Sequence, residues 1–300
     1  MTVDWLRRPG DRPGQGPDLD TLLARNGALP VAGCYDALSG LLAKQAGFEA
    51  LYLSGAALSA SMALPDLGLI TMEEVMHRAR TVQRATGLPI IVDCDTGFGE
   101  ALNVMRAVRE LEAAGIACIQ IEDQQFPKKC GHLNDKQLAS ADEMCRKIAA
   151  AKSASDTVKV CARTDATMIS VEEAISRSQK YVDAGADIIF VEAMTSEDQI
   201  RQVRAALQVP LLGNMTEFGR TPQIPLSRWE ALGIDLVIYP VSALRVVAKA
   251  LDDFYRALKR NGDVSEHLDQ MMTRRELYDL IRYFDYEKLD DSIAATVLEG

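Results

Sequence analysis

Three patterns in the sequence point to a single α/β domain, a (β/α)8 barrel of the TIM type. The first is a recurring unit, found in "AGFEALYLSG" (46–55), "AGIACIQIED" (114–123), "AGADIIFVEA" (184–193) and "LGIDLVIYP" (232–240). Each has a glycine, one or two linking residues, and a short apolar run ending in polar residues. The second is a further set of runs, "LPVAGC" (29–34), "PIIVDCD" (89–95), "VKVCARTD" (158–165) and "VPLLGN" (209–214), which brings the strand candidates to eight. The third is the placing of acids, arginines and small donors at the end of nearly every run.

Taken in chain order, "LPVAGC" opens the barrel and each later run follows a helical segment. A glycine just past a helix suits its C-terminal cap, and an uninterrupted apolar run suits a strand buried on both faces. "SVEEAISRSQKYVDA" (170–184), before the sixth run, is apolar at Val171, Ala174, Ile175 and Val182, a helical spacing. Eight such units without a second composition class read as one barrel. An open doubly wound sheet is the alternative, but no GxGxxG follows the first run. The expected division is a loose Pro/Gly-rich arm at 1–24, the barrel at 25–255, and a C-terminal helical segment at 256–300.

In a barrel the strand ends carry the chemistry. Here they give Tyr52, Ser54 and Gly55; Asp93 and Asp95; Glu122 and Asp123; Arg163 and Asp165; Glu192; Asn214; and Tyr239, Ser242 and Arg245. The formal charge of −10 argues against nucleic acid and anionic membranes as partners. No run reaches the roughly 18–20 apolar residues that span a bilayer, and the first twenty residues lack the apolar core of a secretory signal. The six cysteines include no CxxC pair, and several sit in strand-like runs as reduced, buried thiols do. A cytoplasmic enzyme or binding protein is expected. His77 and His267 read as surface residues, and the pair Met271–Met272 as core or interface.

"DCDTGFG" (93–99) sets two carboxylates at i and i+2 where a strand enters a Gly-rich loop, which suits a hard divalent cation. Turn chemistry is the plainer reading. Glu122 and Asp123 on the next strand favour the cation, since four neighbouring carboxylates repel without one. In "FPKKCGHLN" (126–134), Lys128, Lys129 and His132 make a cationic setting for the Cys130 thiol and for an anionic substrate, and Gly131 permits close backbone approach. A solvated lysine pair beside an incidental cysteine is the competing reading. Arg163 and Arg245, with Asn214 and Thr216, suit carboxylate recognition, or else pair structurally with nearby acids.

Several segments, in order, resemble the isocitrate lyase / phosphoenolpyruvate mutase superfamily, and most closely its methylisocitrate lyase branch. They are "YLSGAA" (52–57), "LPDLG" (64–68), "DCDTGFG", "IEDQ" (121–124), "KKCGH" (128–132), "ARTDA" (162–166), "NMTEFGRTP" (214–222), "YPVSALR" (239–245), "TRRELY" (273–278) and "YEKLDD" (286–291). The resemblance covers roughly residues 25–292. It implies a homotetramer with a C-terminal helix exchanged between subunits. It also implies Mg2+, with Mn2+ as substitute, at Asp93 and Asp95, and with Asp66 and Glu122 acting through water. Substrate contacts carry over to Ser54, Gly55, Ala56, Cys130, Gly131, Arg163, Glu192, Asn214, Met215, Thr216, Arg245 and Arg274. Ala56 stands where the family commonly has glycine.

The activity implied is cleavage of a tricarboxylate, 2-methylisocitrate, to pyruvate and succinate, a step of propionate catabolism in the methylcitrate cycle. Cys130 would be the general acid and Tyr52 the base, with Lys129, His132 and Arg163 holding the charge. Phe190, Ile238 and Pro240 would enclose the substrate methyl. Isocitrate and dimethylmalate are the alternative substrates. Oxaloacetate decarboxylases and phosphonomutases share the acids but generally lack the cysteine loop, and true isocitrate lyases are longer than 300 residues.

Overall fold

The structure, a computed structural model, describes residues 18–131 and 135–294. The chain forms two compact units that divide between Leu244 and Arg245. In the first, eight parallel strands close into a barrel in chain order. They are β1 (Leu29–Cys34), β2 (Leu51–Leu53), β3 (Ile90–Asp93), β4 (Cys118–Glu122), β5 (Lys159–Thr164), β6 (Ile188–Val191), β7 (Leu211–Asn214) and β8 (Leu236–Tyr239). The ring closes where Leu29 of β1 pairs with Leu236 of β8 and Ala32 with Tyr239. All eight apolar runs of the sequence became strands.

The recurring glycine has a defined job. Gly47, Gly115, Gly185 and Gly233 all have positive φ, between 78° and 106°. Just after each one, the amide of Phe48, Ile116, Ala186 or Ile234 donates back to the carbonyl of Ala43, Leu111, Tyr181 or Trp229. This six-to-one bond is the Schellman cap, whose left-handed residue favours glycine. Four helices therefore end identically, and each cap aims the chain into the next strand. At the other end, helices Met72–Thr86, Val171–Asp183 and Glu197–Ala206 are started by Thr71, Ser170 and Ser196, whose hydroxyls accept from the third amide.

Side chains alternate along each strand and so divide the core in two. Val31, Tyr52, Ile91, Cys118, Cys161, Ile188, Phe190, Leu212, Leu236 and Ile238 fill the barrel interior. Leu51, Leu53, Ile90, Val92, Ile119, Ile121, Val160, Ala162, Ile189, Val191 and Val237 pack outward beneath the helices. Residues 19–23, expected within a loose arm, are instead a short helix whose Leu19 and Leu22 join the interior cluster near strand starts. Residues 1–17 of that arm lie outside the described residues. Helix Val171–Asp183 buries Val171 and Ala174 as its spacing predicts, but Tyr181 is fully buried while Ile175 and Val182 are only partly covered.

Helix Ser242–Asn261 runs across the division between the units. The second unit continues with helices Arg274–Leu280 and Tyr283–Ala294. Tyr278 stacks on Tyr283 at 4.4 Å between ring centroids, with Phe284 edge-on. Val246, Val247, Leu251, Tyr255, Leu268, Met271, Met272 and Ile281 are exposed. His77 is exposed and His267 half-buried against Phe254. No helix among the described residues is long and apolar enough to cross a membrane.

Candidate active site

The inward alternation that fills the barrel with apolar side chains turns polar at the C-terminal ends of the strands. There, Tyr52, Ser54 and Ala56, Asp93, Arg163, Phe190 and Glu192, Asn214 and Thr216, and Ile238 and Pro240 line one cavity of about 50 Å³. Lys128, Lys129, Cys130 and Gly131 cover it, and Asp66 reaches its edge. The described part of the loop, up to Gly131, packs against the strand ends. Gly131 is packed so tightly that an added Cβ would stand 2.3 Å from Glu192 Cγ and 2.6 Å from Arg163 Nη2. Any side chain there would lift the loop off the site.

On the side of the paired carboxylates, Asp93 Oδ2 accepts from Gly55 N at 3.1 Å and Asp93 Oδ1 from Asp95 N at 3.2 Å. Asp95 itself is in the left-handed region at φ 49°, which aspartate tolerates better than most residues. The Lys128 ammonium forms an ion pair with Asp95 Oδ1 at 2.7 Å and donates to Asp66. Burial pushes the Asp95 carboxyl up to about 6, against the lowering effect of Lys128. Burial also raises Glu122 well above the usual carboxylate range, opposed by Arg163 and Lys128. For Lys128, burial alone would lower the ammonium, but Glu122, Asp95, Asp93 and Asp66 together hold it up.

Both Glu122 oxygens are buried without a hydrogen-bond donor, although Arg163 Nη1 lies 3.2 Å away as an ion-pair partner. Under-bonded buried carboxylates fit a hard divalent cation, which takes oxygen ligands and retains several waters. Among the described residues, no three carboxylate, thiol or imidazole side chains converge closely enough to cage an ion alone. Water and substrate oxygens would complete the set.

Arg163 is held by three acids. Its Nε and Nη2 donate to the two oxygens of Asp165 at 3.0 and 3.1 Å, and Nη1 faces Glu122 at 3.2 Å and Glu192 at 3.5 Å. Its guanidinium carbon lies 5.3 Å from the Phe190 ring centroid. Of the two readings open for this arginine, structural pairing is realised with Asp165, while the guanidinium still borders the cavity. Asn214 donates to Glu192 at 3.1 Å. Tyr52 donates to Gln120 at 2.5 Å, and burial first, then the Asp93 charge, raises the phenol well above its ordinary value.

Three expected residues are placed differently. Asp123 does not face inward with Asp93 and Glu122: alternation turns it outward, where it accepts from Thr164, Tyr181, Arg177 and the Asp165 amide. Met215 sits one position past inward-facing Asn214, so its side chain lies in the outer core and its sulfur accepts from Ile224 N. Gly55 acts beneath the cavity, through Asp93. Arg245 lies in the first turn of helix Ser242–Asn261 and Arg274 opens helix Arg274–Leu280, both in the second unit. His132 falls outside the described residues.

Reasoning from sequence missed Gln120, Gln124 and Lys136. Gln124 and Lys136 hold the cysteine loop, whose stem is closed by backbone bonds from Gln125 to Gln137 at 2.7 Å and from Ala139 to Asp123 at 2.8 Å. A signal existed for Gln120 alone, as the inward residue two before Glu122 on β4.

The model of the phosphoenolpyruvate phosphomutase family matches residues 19–259, which takes in every strand of the barrel. The chain belongs to this family. A 2-methylisocitrate lyase of Bacillus subtilis (strain 168) is 50% identical over 278 residues, 92% of each chain. Among solved structures, a 2,3-dimethylmalate lyase of the same superfamily superposes with a TM-score of 0.86 at 33% identity, covering 100% of this chain and 98% of its own. A phosphonopyruvate hydrolase solved with oxalate and Mg2+ gives a TM-score of 0.80 at 30% identity over the full length of both chains.

Proposed function

We propose that this protein is a Mg2+-dependent carbon–carbon lyase that cleaves 2-methylisocitrate to pyruvate and succinate. The observation that carries the reading is the facing of Cys130, on its closed loop, with Asp93 and Arg163 across one cavity. The 50% identity to a 2-methylisocitrate lyase supports the choice of substrate.

Asp93 and Asp95 would hold the ion, with Asp66 and Glu122 as the further acids that would serve it through water. A Mg2+ ion held there would supply electrostatic stabilisation for a developing oxyanion. Tyr52 is read as the base for the hydroxyl proton of the substrate, a role that requires its phenol, held protonated by burial and by Asp93, first to give up its own proton to water. The C2–C3 bond then breaks, its electron pair staying on the succinate carbon, and the Cys130 thiol gives that carbon its proton. Arg163, Lys129, Asn214 and Thr216, which line the cavity, receive the carboxylates. The closed loop excludes water that would otherwise quench the carbanion. Phe190, Ile238 and Pro240, which all line the cavity, enclose the methyl group.

The protein is read as a cytoplasmic homo-oligomer, a tetramer. Six cysteines, none of them in a disulfide, support a reducing compartment, and the exposed apolar residues of the second unit support subunit contact. A second reading, 2,3-dimethylmalate lyase, is favoured by the similarity to that solved structure. Measuring release of pyruvate and succinate from 2-methylisocitrate, with 2,3-dimethylmalate and isocitrate in parallel, separates the readings.

A further inference from the structure

Cys130 is held from both sides by side chains that do not touch the cavity. On one side, the Gln124 amide treats the Lys129 backbone as a neighbouring strand would: Nε2 donates to Lys129 O at 2.8 Å, and Oε1 accepts from Lys129 N at 2.8 Å. On the other side, the buried Lys136 ammonium donates to the carbonyl of Gly131. Both side chains then meet at Asp165. Lys136 Nζ donates to its Oδ1 at 2.7 Å and Gln124 Nε2 to its Oδ2 at 3.3 Å. The same carboxylate carries the two bonds from Arg163.

A lysine buried in a polar loop loses much hydration, and only a paired charge offsets that loss. For Lys136 the pair exists while the loop is closed, because its other bond goes to Gly131, the residue packed against Arg163 and Glu192. Gln124 lies two residues past the end of β4, next to the firmly bonded Asp123, whereas Lys136 lies within the loop. Asp165 thus ties loop closure to the orientation of Arg163.

We propose that Lys136 and Gln124 are positioning residues for Cys130, locking its loop closed through Asp165; this deepens, and rests on, the reading of Cys130 as proton donor. Neither residue contacts substrate. They act by fixing the backbone on each side of the thiol, where a displacement of about 1 Å costs on the order of 100-fold in rate.

The test compares Lys136→Met, Lys136→Arg and Gln124→Ala with wild type, using iodoacetamide labelling resolved by peptide mass spectrometry. Cys145, half-buried on helix Ala141–Ala154, is the internal reference. Lys136→Met and Gln124→Ala should label Cys130 about tenfold faster, the factor for losing one charge-assisted or paired hydrogen bond that holds the closed form. Cys145 should be unchanged, Lys136→Arg should return towards wild type, and kcat should fall far more than KM rises. Faster labelling of Cys145 and of the buried cysteines together would mean general loosening and would overturn the proposal. So would wild-type labelling of Cys130 in Lys136→Met, or in Gln124→Ala if the former does not fold. Because labelling is read without turnover, a wild type that fails to cleave methylisocitrate would remove the lyase reading and leave this result separately legible.

Discussion

The Lys128 ammonium lies 2.7 Å from Asp95 Oδ1 and donates to Asp66, among the acids assigned to the metal. A cation from the protein's own loop thus neutralises carboxylates that a divalent ion would otherwise occupy. Lys128→Met should remove this competitor, so Mg2+ titrated by calorimetry should bind the variant about tenfold more tightly, the scale of one charge-assisted bond. Asp93→Ala and Asp95→Ala should bind it more weakly, and EDTA should abolish wild-type activity reversibly. Equal affinity in Lys128→Met and wild type would show that the lysine does not compete.

Asp165→Asn tests the buried hub. Burial opposes ionisation of Asp165, but Arg163 and Lys136 outweigh it and hold the carboxyl below its ordinary 3.8. A depressed folded value means the charge stabilises the fold above about 3.8, and that this stability is lost as pH falls through the lower folded value. Breaking a buried pair costs roughly 3–5 kcal/mol. Asp165→Asn should therefore melt well below wild type at pH 7, with the gap narrowing below pH 4. A gap independent of pH would assign the effect to packing instead.

The strands were legible because their signal is local. A Schellman glycine and a run buried on both faces are written in consecutive residues, and all four repeats bore it. The site acids were legible for the same reason, since strand ends are where barrels place them. Period-two alternation along β4 and β7 was also readable, and it would have separated Glu122 from Asp123 and Asn214 from Met215. The roles of Lys136 and Gln124 were not readable. A lysine and a glutamine in a polar loop look solvated until the loop folds back onto Asp165, twenty-nine residues beyond Lys136.

Phe190→Trp should erode selectivity for the methyl substituent. Phe190 is fully buried, lines the cavity as Ile238 and Pro240 do, and lies under Arg163. One methylene in such a pocket is worth about 1–3 kcal/mol, roughly 10–200-fold in kcat/KM. Wild type should prefer methylisocitrate over isocitrate within that range, and the variant should lose most of the preference by slowing the larger substrate. An unchanged ratio would place the methyl elsewhere.

Truncation after residue 270 removes helices Arg274–Leu280 and Tyr283–Ala294 with their aromatic cluster. The shortened protein should scatter light as a smaller species and be inactive. Full mass and full activity would show that the segment is dispensable.

The most direct test of the central claim is product stoichiometry from 2-methylisocitrate with Mg2+, followed by chromatography, for wild type and Cys130→Ser. Wild type should release pyruvate and succinate in equal amounts. Cys130→Ser, with native circular dichroism, should be slower by about 10²–10⁴-fold or more, the usual worth of a general acid. A wild type that forms no succinate, or a serine variant that turns over at the wild-type rate, would contradict the account.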